Sequence, residues 1–182
     1  MATLACAAPL AQASTIYLYV GNDFQSADNR AGAWASTDQY ITGWFMADAP
    51  LPASSLLYLT PAEWSLSDGL HTLDQSSDAS SLALTILTDA NGNFMDWSFL
   101  AGESGSGPDG TTGMTLSTTD FFGQMQDLSA GFFPGGASTA LNANAPGTWS
   151  ASTPIPEPGT VALSAAGGLL VLAIYRKRRR RI

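Results

Sequence analysis

The side chains best suited to chemistry lie in one short stretch, where oxygen-bearing residues stand between two apolar runs. The four candidates are Asp89, Asn91, Asn93 and Asp96. Carboxylate and carboxamide oxygens at alternate positions of a turn are ligands that suit Ca²⁺. An EF-hand loop needs glycine at its sixth position and glutamate at its twelfth, whereas here Gly92 is fourth and Leu100 is twelfth. A plain hairpin tip is therefore the simpler interpretation, and a calcium site is the alternative.

A catalytic triad is the next chemistry to weigh, because His71 is the single histidine and has Asp68 and Asp74 nearby in the sequence. Serines are abundant, but no Gly-x-Ser-x-Gly elbow places one as a nucleophile. Abundant serine also fits turns and solvent-facing strand positions. The sequence therefore favours a structural histidine in a strand or turn.

Paired carboxylates give even weaker evidence for an active site. Glu63 with Asp68, or Glu103 with Asp109, would provide the two acidic groups of a glycosidase. Any strongly acidic segment offers such pairs. The sequence has no zinc-ligand spacing, phosphate-binding loop or dinucleotide fingerprint. We expect no catalytic residues and no enzymatic activity.

The tryptophans suggest a binding function as an alternative. Aromatic faces stack on sugar rings, and a carbohydrate-binding module would use exposed tryptophans, with Ca²⁺ as a possible aid. The five are Trp34, Trp44, Trp64, Trp97 and Trp149. Their strand-like contexts favour core positions for most of them, with Trp34, between Gly32 and Ser36, the least certain.

Charge divides the chain into two unlike parts. Residues 14–153 contain fourteen Asp and Glu against one Arg, a net charge near −13. Ion pairs cannot hold such a domain together, and its charge argues against nucleic acid as a partner. Six of the seven Lys and Arg residues instead stand together near the C-terminus. Direct binding of an acidic polysaccharide would need bridging divalent cations.

The elements that must position these residues are strands. Short apolar runs separated by Gly, Pro, Asn, Asp and Ser predict strands at 16–20 and 40–46, and a turn at Asp68-Gly69. Alternation over 81–100 around Asn91-Gly92 predicts a hairpin with a type I′ turn. Residues 121–133 fit either an amphipathic helix or an aromatic loop. The whole predicts a mainly β fold for 14–153, an antiparallel sandwich or barrel-like domain.

The N-terminus has the features of a signal peptide. Residues 1–13 are Ala-rich with a short apolar run, and Ala11-Gln12-Ala13 before Ser14 fits the small-x-small rule for signal peptidase. The positively charged start is missing, so we interpret residues 1–13 as a truncated signal peptide whose true start lies upstream. Cys6, the single cysteine, would leave with it, so we expect no disulfide. An Ala-rich disordered N-terminus is the alternative.

The C-terminus has three successive parts. The motif Pro156-Glu157-Pro158-Gly159-Thr160 comes first, and an apolar stretch completes a predicted transmembrane helix over 160–175. That helix is short for a bilayer core of about 30 Å, a gap that snorkelling and bilayer thinning would close. Six cations follow, namely Arg176, Lys177, Arg178, Arg179, Arg180 and Arg181. Because cations resist translocation, the C-terminus is expected to stay cytoplasmic.

In its order and position this tail resembles the PEP-CTERM sorting signal of Gram-negative bacteria, over residues 154–182. The resemblance implies recognition by an exosortase, cleavage near residues 156–158, and an association with exopolysaccharide. We therefore expect an exported, non-enzymatic surface or extracellular-matrix protein. It would pass through a single-pass inner-membrane intermediate to the cell surface or medium. The expected partners are signal peptidase, exosortase, the membrane and exopolysaccharide.

Overall fold

The computed structural model describes residues 14–29, 37–77, 79–104, 113–121, 123–133 and 135–152. These residues form twelve β-strands in two antiparallel sheets, and no helix occurs among them. The mainly β fold predicted from the alternating apolar runs is confirmed.

Five strands form the smaller sheet, in the spatial order β12-β1-β3-β5-β6. In chain order they are β1 (Thr15–Val20), β3 (Thr42–Ala47), β5 (Trp64–Ser67), β6 (Thr72–Asp74) and β12 (Thr148–Ala151). The first and last strands of the domain are therefore neighbours, with Leu18 opposite Ser150.

Seven strands form the larger sheet, in the order β2-β11-β10-β9-β8-β7-β4. They are β2 (Ser26–Asn29), β4 (Leu56–Leu59), β7 (Ala79–Thr88), β8 (Phe94–Ser104), β9 (Gly113–Phe121), β10 (Gln124–Phe133) and β11 (Gly136–Ala143). The strands from β7 to β11 run as a continuous meander, and the edges are closed by β4 and β2, which come from earlier in the chain.

The two sheets meet face to face through aromatic side chains. Phe45 of the smaller sheet and Phe99 of the larger one are both fully buried, and their rings meet edge to face with centroids 6.4 Å apart. Trp64 meets the same Phe99 at 5.9 Å. Edge-to-face pairs of this kind add stability beyond the area they bury. With almost no cations to pair, the domain depends on this core and on the strand ladders.

Most predicted elements lie where the sequence placed them. The runs at 16–20 and 40–46 correspond to β1 and β3, and Gly69 has a positive φ of 90° in the turn between β5 and β6. Trp64 and Trp97 are core residues.

Two local predictions are wrong. Residues 121–133 are neither helix nor loop, because they contain the turn from β9 into the ten-residue strand β10. In β10 the alternation is inverted: Asp127 and Ser129 face inward with no exposure, while Phe132 is 61% exposed. Interpretation based on apolar residues alone missed the strand, since its buried face is polar.

The hairpin between β7 and β8 is confirmed, but its turn is not type I′. Asn91 lacks the positive φ which that turn requires, and only Gly92, at 84°, adopts one. The Gly92 amide donates to the Asp89 carbonyl at 3.1 Å, and the Asp89 amide donates to the Asn93 carbonyl at 2.9 Å. This pattern is a type I turn followed by a left-handed glycine. The loop is longer than the two-residue loop of a type I′ turn, and a β-bulge lies beside it at Leu87–Thr88.

Candidate functional site

Asp89 organises the hairpin tip with its own carboxylate. Its Oδ1 accepts the backbone amides of Asn91 at 2.7 Å and of Asn93 at 2.9 Å, and its Oδ2 accepts the Asn93 side-chain amide at 3.0 Å. The hydrogen bond from the Asn93 side chain, followed by those from the two backbone amides, lowers the pKa of Asp89. The carboxylate is therefore already engaged in fixing the loop.

The fourth predicted calcium ligand lies elsewhere. Asp96 is beyond the bulge, opposite Leu87, and its charge acts on Asp120, whose pKa is raised by burial and then by Asp96. In the part of the chain that the structure describes, no group of three or more His, Cys, Asp or Glu side chains is arranged to hold a metal. Calcium at the hairpin tip stays a prediction.

The same hairpin tip forms one wall of a cleft. This feature, which we call the Trp149 cleft, has a volume of about 300 Å³ and lies where the tip meets the start of β1 and the end of β12. Its lining includes Thr15, Leu51, Asn91, Asn93, Phe94 and Trp149. None of the described residues that line it is charged.

Two buried polar atoms in the lining lack a hydrogen-bond partner: Thr15 Oγ1 and Trp149 Nε1. Thr15 is only 3% exposed. A buried polar group without a partner costs about 1–3 kcal/mol, so natural proteins rarely keep one without a reason. Thr15 could not be singled out from the sequence, because one threonine at the start of a strand has no distinguishing pattern.

Trp149 is packed among other aromatic rings. Phe94 stacks on it with centroids 4.8 Å apart and planes 10° apart, and Phe99 is near-parallel to it at 6.3 Å and 19°. Trp64 and Trp97 are buried, and Trp44 is half-buried on the outer face of the smaller sheet. Trp34 lies outside the described residues. Sugar stacking on several exposed tryptophans therefore has little support.

Asp68, His71 and Ser129 do come together, but in the wrong order for a triad. Ser129 Oγ donates to Asp68 Oδ2 at 2.6 Å, and His71 Nδ1 lies 3.5 Å from the same oxygen. In a nucleophilic triad the histidine stands between the serine and the acid. Here the acid stands between them, and Ser129 and Asp68 are both fully buried. Asp74 instead caps its own turn through Ser76 and Ser77.

Asp68 is held ionised by its surroundings. Burial raises its pKa, but the side chains of His71 and Ser129 and the amides of His71 and Leu70 outweigh that effect, so the pKa is lowered overall. The two amides donate to Oδ1 at 2.7 and 2.9 Å. The cluster thus fixes the turn between β5 and β6 against β10, a structural role that matches the interpretation of His71 as a turn histidine.

Glu63 and Asp68, the first proposed carboxylate pair, are too far apart for a glycosidase site. Glu63 precedes β5 and Asp68 follows it, so an extended strand of about 16 Å separates them at ~3.3 Å per residue. Glycosidase carboxylates lie about 5–9.5 Å apart. Asp109, the proposed partner of Glu103, lies outside the described residues.

The inner face of β10 carries a second buried acid, which the sequence did not single out. Asp127 Oδ1 accepts from the Tyr19 hydroxyl at 2.7 Å, while its Oδ2 has no hydrogen-bond partner. Burial raises the pKa of Asp127 to about 6, although hydrogen bonds from Tyr19 and Thr118 oppose the shift. The available signal was the polar period-two pattern of Asp127 and Ser129, which marks a strand with a polar buried face.

The predicted processing sites lie almost entirely outside the described residues. This applies to the signal peptide at 1–13 with Ala11 and Ala13, the sorting motif at 156–160, the helix at 160–175 and the basic tail at 176–181. Ser14 is exposed immediately before β1. Within the described stretches, no helix is long and apolar enough to cross a membrane.

The described residues form a two-sheet β domain, and the sequence of residues 14–153 is acidic. The C-terminal tail follows this domain in the sequence. Residues 154–181 match the PEP-CTERM protein-sorting motif, so the chain carries this motif and the resemblance of its tail is confirmed. The motif implies export, recognition by an exosortase and a membrane-anchored sorting intermediate. Comparison with curated proteins and with solved structures gave no match for the chain.

Proposed function

We propose that this chain is a non-enzymatic surface or extracellular-matrix protein that is delivered through its C-terminal tail and works in association with exopolysaccharide. The observation that carries the proposal is the sorting motif at 154–181, which directly follows a domain whose last strand ends at Ala151. A folded cargo and a removable tail are thus separate units of the chain.

The tail has the composition that this role needs. Pro156, Glu157 and Pro158 would serve as the recognition motif, residues 160–175 have the apolar composition of a membrane-spanning segment, and the six cations at 176–181 would keep the C-terminus in the cytoplasm. Signal peptidase would act at Ala13–Ser14, and Ser14 is exposed immediately before β1. The non-enzymatic part of the proposal is supported by the cluster of Asp68, His71 and Ser129, in which the serine is fully buried and donates to the acid.

The negative charge of the delivered domain limits which polymers it can bind. Every Lys and Arg of the chain lies outside the described residues, so His71 is the one side chain within them that gains a positive charge. Such a surface repels acidic polymers and favours neutral glycans, or acidic ones bridged by divalent cations.

Fractionation of host cells tests the sorting role. The full chain is compared with a Pro156→Ala/Glu157→Ala variant and with Ser164→Ala, a tail substitution outside the Pro156–Thr160 segment. We expect the wild-type and Ser164→Ala proteins to be shortened and to reach the surface or medium, and the motif variant to stay in the inner membrane at full length. An unchanged location and intact mass of the motif variant would contradict the proposal.

A further inference from the structure

The outer face of the smaller sheet carries an apolar surface that the sorting role does not explain. On β1, the side chains of Ile16, Leu18 and Val20 are 38%, 43% and 54% exposed, while Tyr17 and Tyr19 between them are buried in the core. A strand of an antiparallel sheet that faces solvent on one side normally carries polar residues there. In its composition, β1 therefore resembles a strand that is covered on both faces.

The neighbouring strand β3 extends this apolar surface. Successive side chains of a strand point to opposite faces, so Trp44 and Met46 lie on the outer face, because Phe45 between them is fully buried. Leu18 is directly opposite Trp44 in the ladder, and Ile16 is directly opposite Met46. Contiguous exposed apolar side chains with a polar rim mark sites of contact with proteins or membranes. We call the following five side chains the β1–β3 patch: Ile16, Leu18, Val20, Trp44 and Met46.

Hydroxyl side chains border the β1–β3 patch. Leu18 has Ser150 beside it on β12, and beyond Trp44 the same row continues to Ser65 on β5. The first charged side chain of that row is Asp74, on the edge strand β6. The patch is thus an uncharged area on a domain with a net charge near −13. A partner must therefore accept apolar side chains without relying on ionic contacts.

The position of the tail identifies this partner. The Ser152 amide donates to the Ile16 carbonyl at 2.8 Å, and the Ile16 amide donates to Ser152 Oγ at 3.3 Å. The end of the described domain therefore lies directly beside the patch. Seven residues, 153–159, separate Ser152 from the apolar stretch at 160–175, and they span at most about 30 Å. In the membrane-anchored intermediate, the patch is thus held close to the bilayer that contains the tail.

A lipid surface suits the residues of the β1–β3 patch. Tryptophan is enriched at the membrane–water interface, and an apolar face that lies on a bilayer enters the boundary between headgroups and acyl chains. Because the tail is a tether, it raises the effective concentration of lipid, so a weak contact is sufficient. The acidic domain repels anionic headgroups, which favours a zwitterionic lipid surface.

We infer that, in the uncut chain, the β1–β3 patch lies on a zwitterionic lipid surface and holds the β domain against the membrane until the tail is removed. The inference rests on the membrane-anchored intermediate of the proposed function, and it adds a second membrane contact, made by the domain itself. Cleavage of the tail removes the tether. The remaining lipid contact is then too weak to retain the domain, so the domain leaves the membrane.

The test uses the full chain reconstituted in phosphatidylcholine vesicles, with Cys6→Ser so that a single introduced cysteine carries the fluorophore NBD. Leu18→Cys places the probe in the β1–β3 patch. The matched control is Leu100→Cys, because Leu100 is 37% exposed and lies on the outer face of the larger sheet. The quencher is phosphatidylcholine with a doxyl group near the headgroup. We expect quenching at position 18 to be at least about twofold stronger than at position 100, because only the patch enters the headgroup boundary.

Tryptophan emission gives a second readout that needs no label. Brominated phosphatidylcholine should quench the emission of the wild-type chain, and Trp44→Phe, which keeps an aromatic ring in the patch, should be quenched less. Flotation of the vesicles reports separately whether the tail is inserted. A chain that does not float would contradict the membrane intermediate of the proposed function, and the inference with it.

The inference alone is overturned if the chain floats but doxyl lipid quenches positions 18 and 100 equally, or if brominated lipid quenches Trp44→Phe as strongly as the wild type. It is also overturned if the probe at position 18 is insensitive to doxyl lipid and shifts its emission only as the protein-to-lipid ratio rises. In that case a second copy of the chain, and not lipid, covers the β1–β3 patch.

Discussion

The Tyr19 hydroxyl donates a 2.7 Å hydrogen bond to Asp127 Oδ1, and this bond joins the two sheets in the interior of the domain. Tyr19 lies on β1 of the smaller sheet and Asp127 on β10 of the larger one. The same hydroxyl oxygen accepts the Gly147 amide at 2.6 Å. Burial, and then the Asp127 charge, raise the pKa of Tyr19, so the phenol stays protonated and continues to donate.

Tyr19→Phe is expected to lower the free energy of unfolding by about 1–3 kcal/mol, because it leaves the Gly147 amide and one Asp127 oxygen without their buried partner. Urea unfolding followed by tryptophan fluorescence measures the loss. Tyr17→Phe is the matched control, since the Tyr17 oxygen accepts only the partly buried Leu51 amide at 2.8 Å and should cost about 1 kcal/mol. Equal losses in the two variants would contradict a special role for the Tyr19–Asp127 bond.

Asp127 makes stability depend on pH in the direction opposite to most carboxylates. Its pKa is raised from 3.8 to about 6 on folding, so above pH 6 the folded state bears a cost of about 3 kcal/mol for the buried charge. As the pH falls from above 6 towards 4, the folded state takes up the proton first and becomes more stable. Asn142, opposite Asp127 in the ladder, also has a buried Oδ1 without a partner, which a protonated Asp127 suits.

Asp127→Asn should therefore raise the free energy of unfolding at pH 8 by up to about 3 kcal/mol and flatten its change between pH 4 and 7. The new amide can donate towards Asn142 while its oxygen still accepts from Tyr19. Unfolding titrations at a series of pH values measure both effects. Parallel pH profiles for the variant and the wild type would show that Asp127 is not the responsible group.

Asp127 also shows which part of the fold could not be predicted from the sequence. Strands such as β1 and β3 were predictable because they are short apolar runs between turn-forming residues, and Trp64 enters the core as expected. In β10 the buried positions are Asp127 and Ser129. Their burial depends on partners that are distant in sequence, Tyr19 and Asp68, and no local pattern reveals such pairs.

The cleft was unpredictable for a related reason. Its walls come from β1, the hairpin tip and β12, and Thr15 and Trp149 become neighbours only when the first and last strands of the domain pair. The tail, in contrast, was identified from sequence because its three parts are contiguous and need no fold to be recognised.

Ser129→Ala should destabilise the domain by about 1–3 kcal/mol, because it removes a buried donor to an ionised acid. The lowered pKa of Asp68 gives stability that is present above pH 3.8 and is lost as the pH falls through the folded value. Without Ser129 this loss should begin at a higher pH. The control is Ser150→Ala, which removes a serine hydroxyl at an exposed position. Labelling of Ser129 by a fluorophosphonate would contradict its structural role.

The net charge near −13 of residues 14–153 should make the melting temperature rise with NaCl, because salt screens the repulsion. Since Asp89 already accepts three N–H groups, we expect CaCl₂ at matched ionic strength to add nothing specific, and Asp89→Asn to respond as the wild type does. Thermal scans in both salts provide the measurement. A further rise in CaCl₂ that Asp89→Asn abolishes would establish a calcium site at the hairpin tip.

Alanine substitutions at Gly92 and Gly123 distinguish the cost of steric contact from the cost of backbone strain in two turns. Both have positive φ, 84° and 78°, where a side chain costs about 1–2 kcal/mol. A Cβ on Gly123 would meet nothing within 4 Å, whereas one on Gly92 would lie 2.8 Å from the Leu51 carbonyl oxygen. Gly123→Ala should therefore lose only the strain energy, and Gly92→Ala should lose more, because the hairpin tip must also move away from Leu51. Urea unfolding of the two variants measures the difference, and equal losses would mean that the Leu51 contact gives way freely.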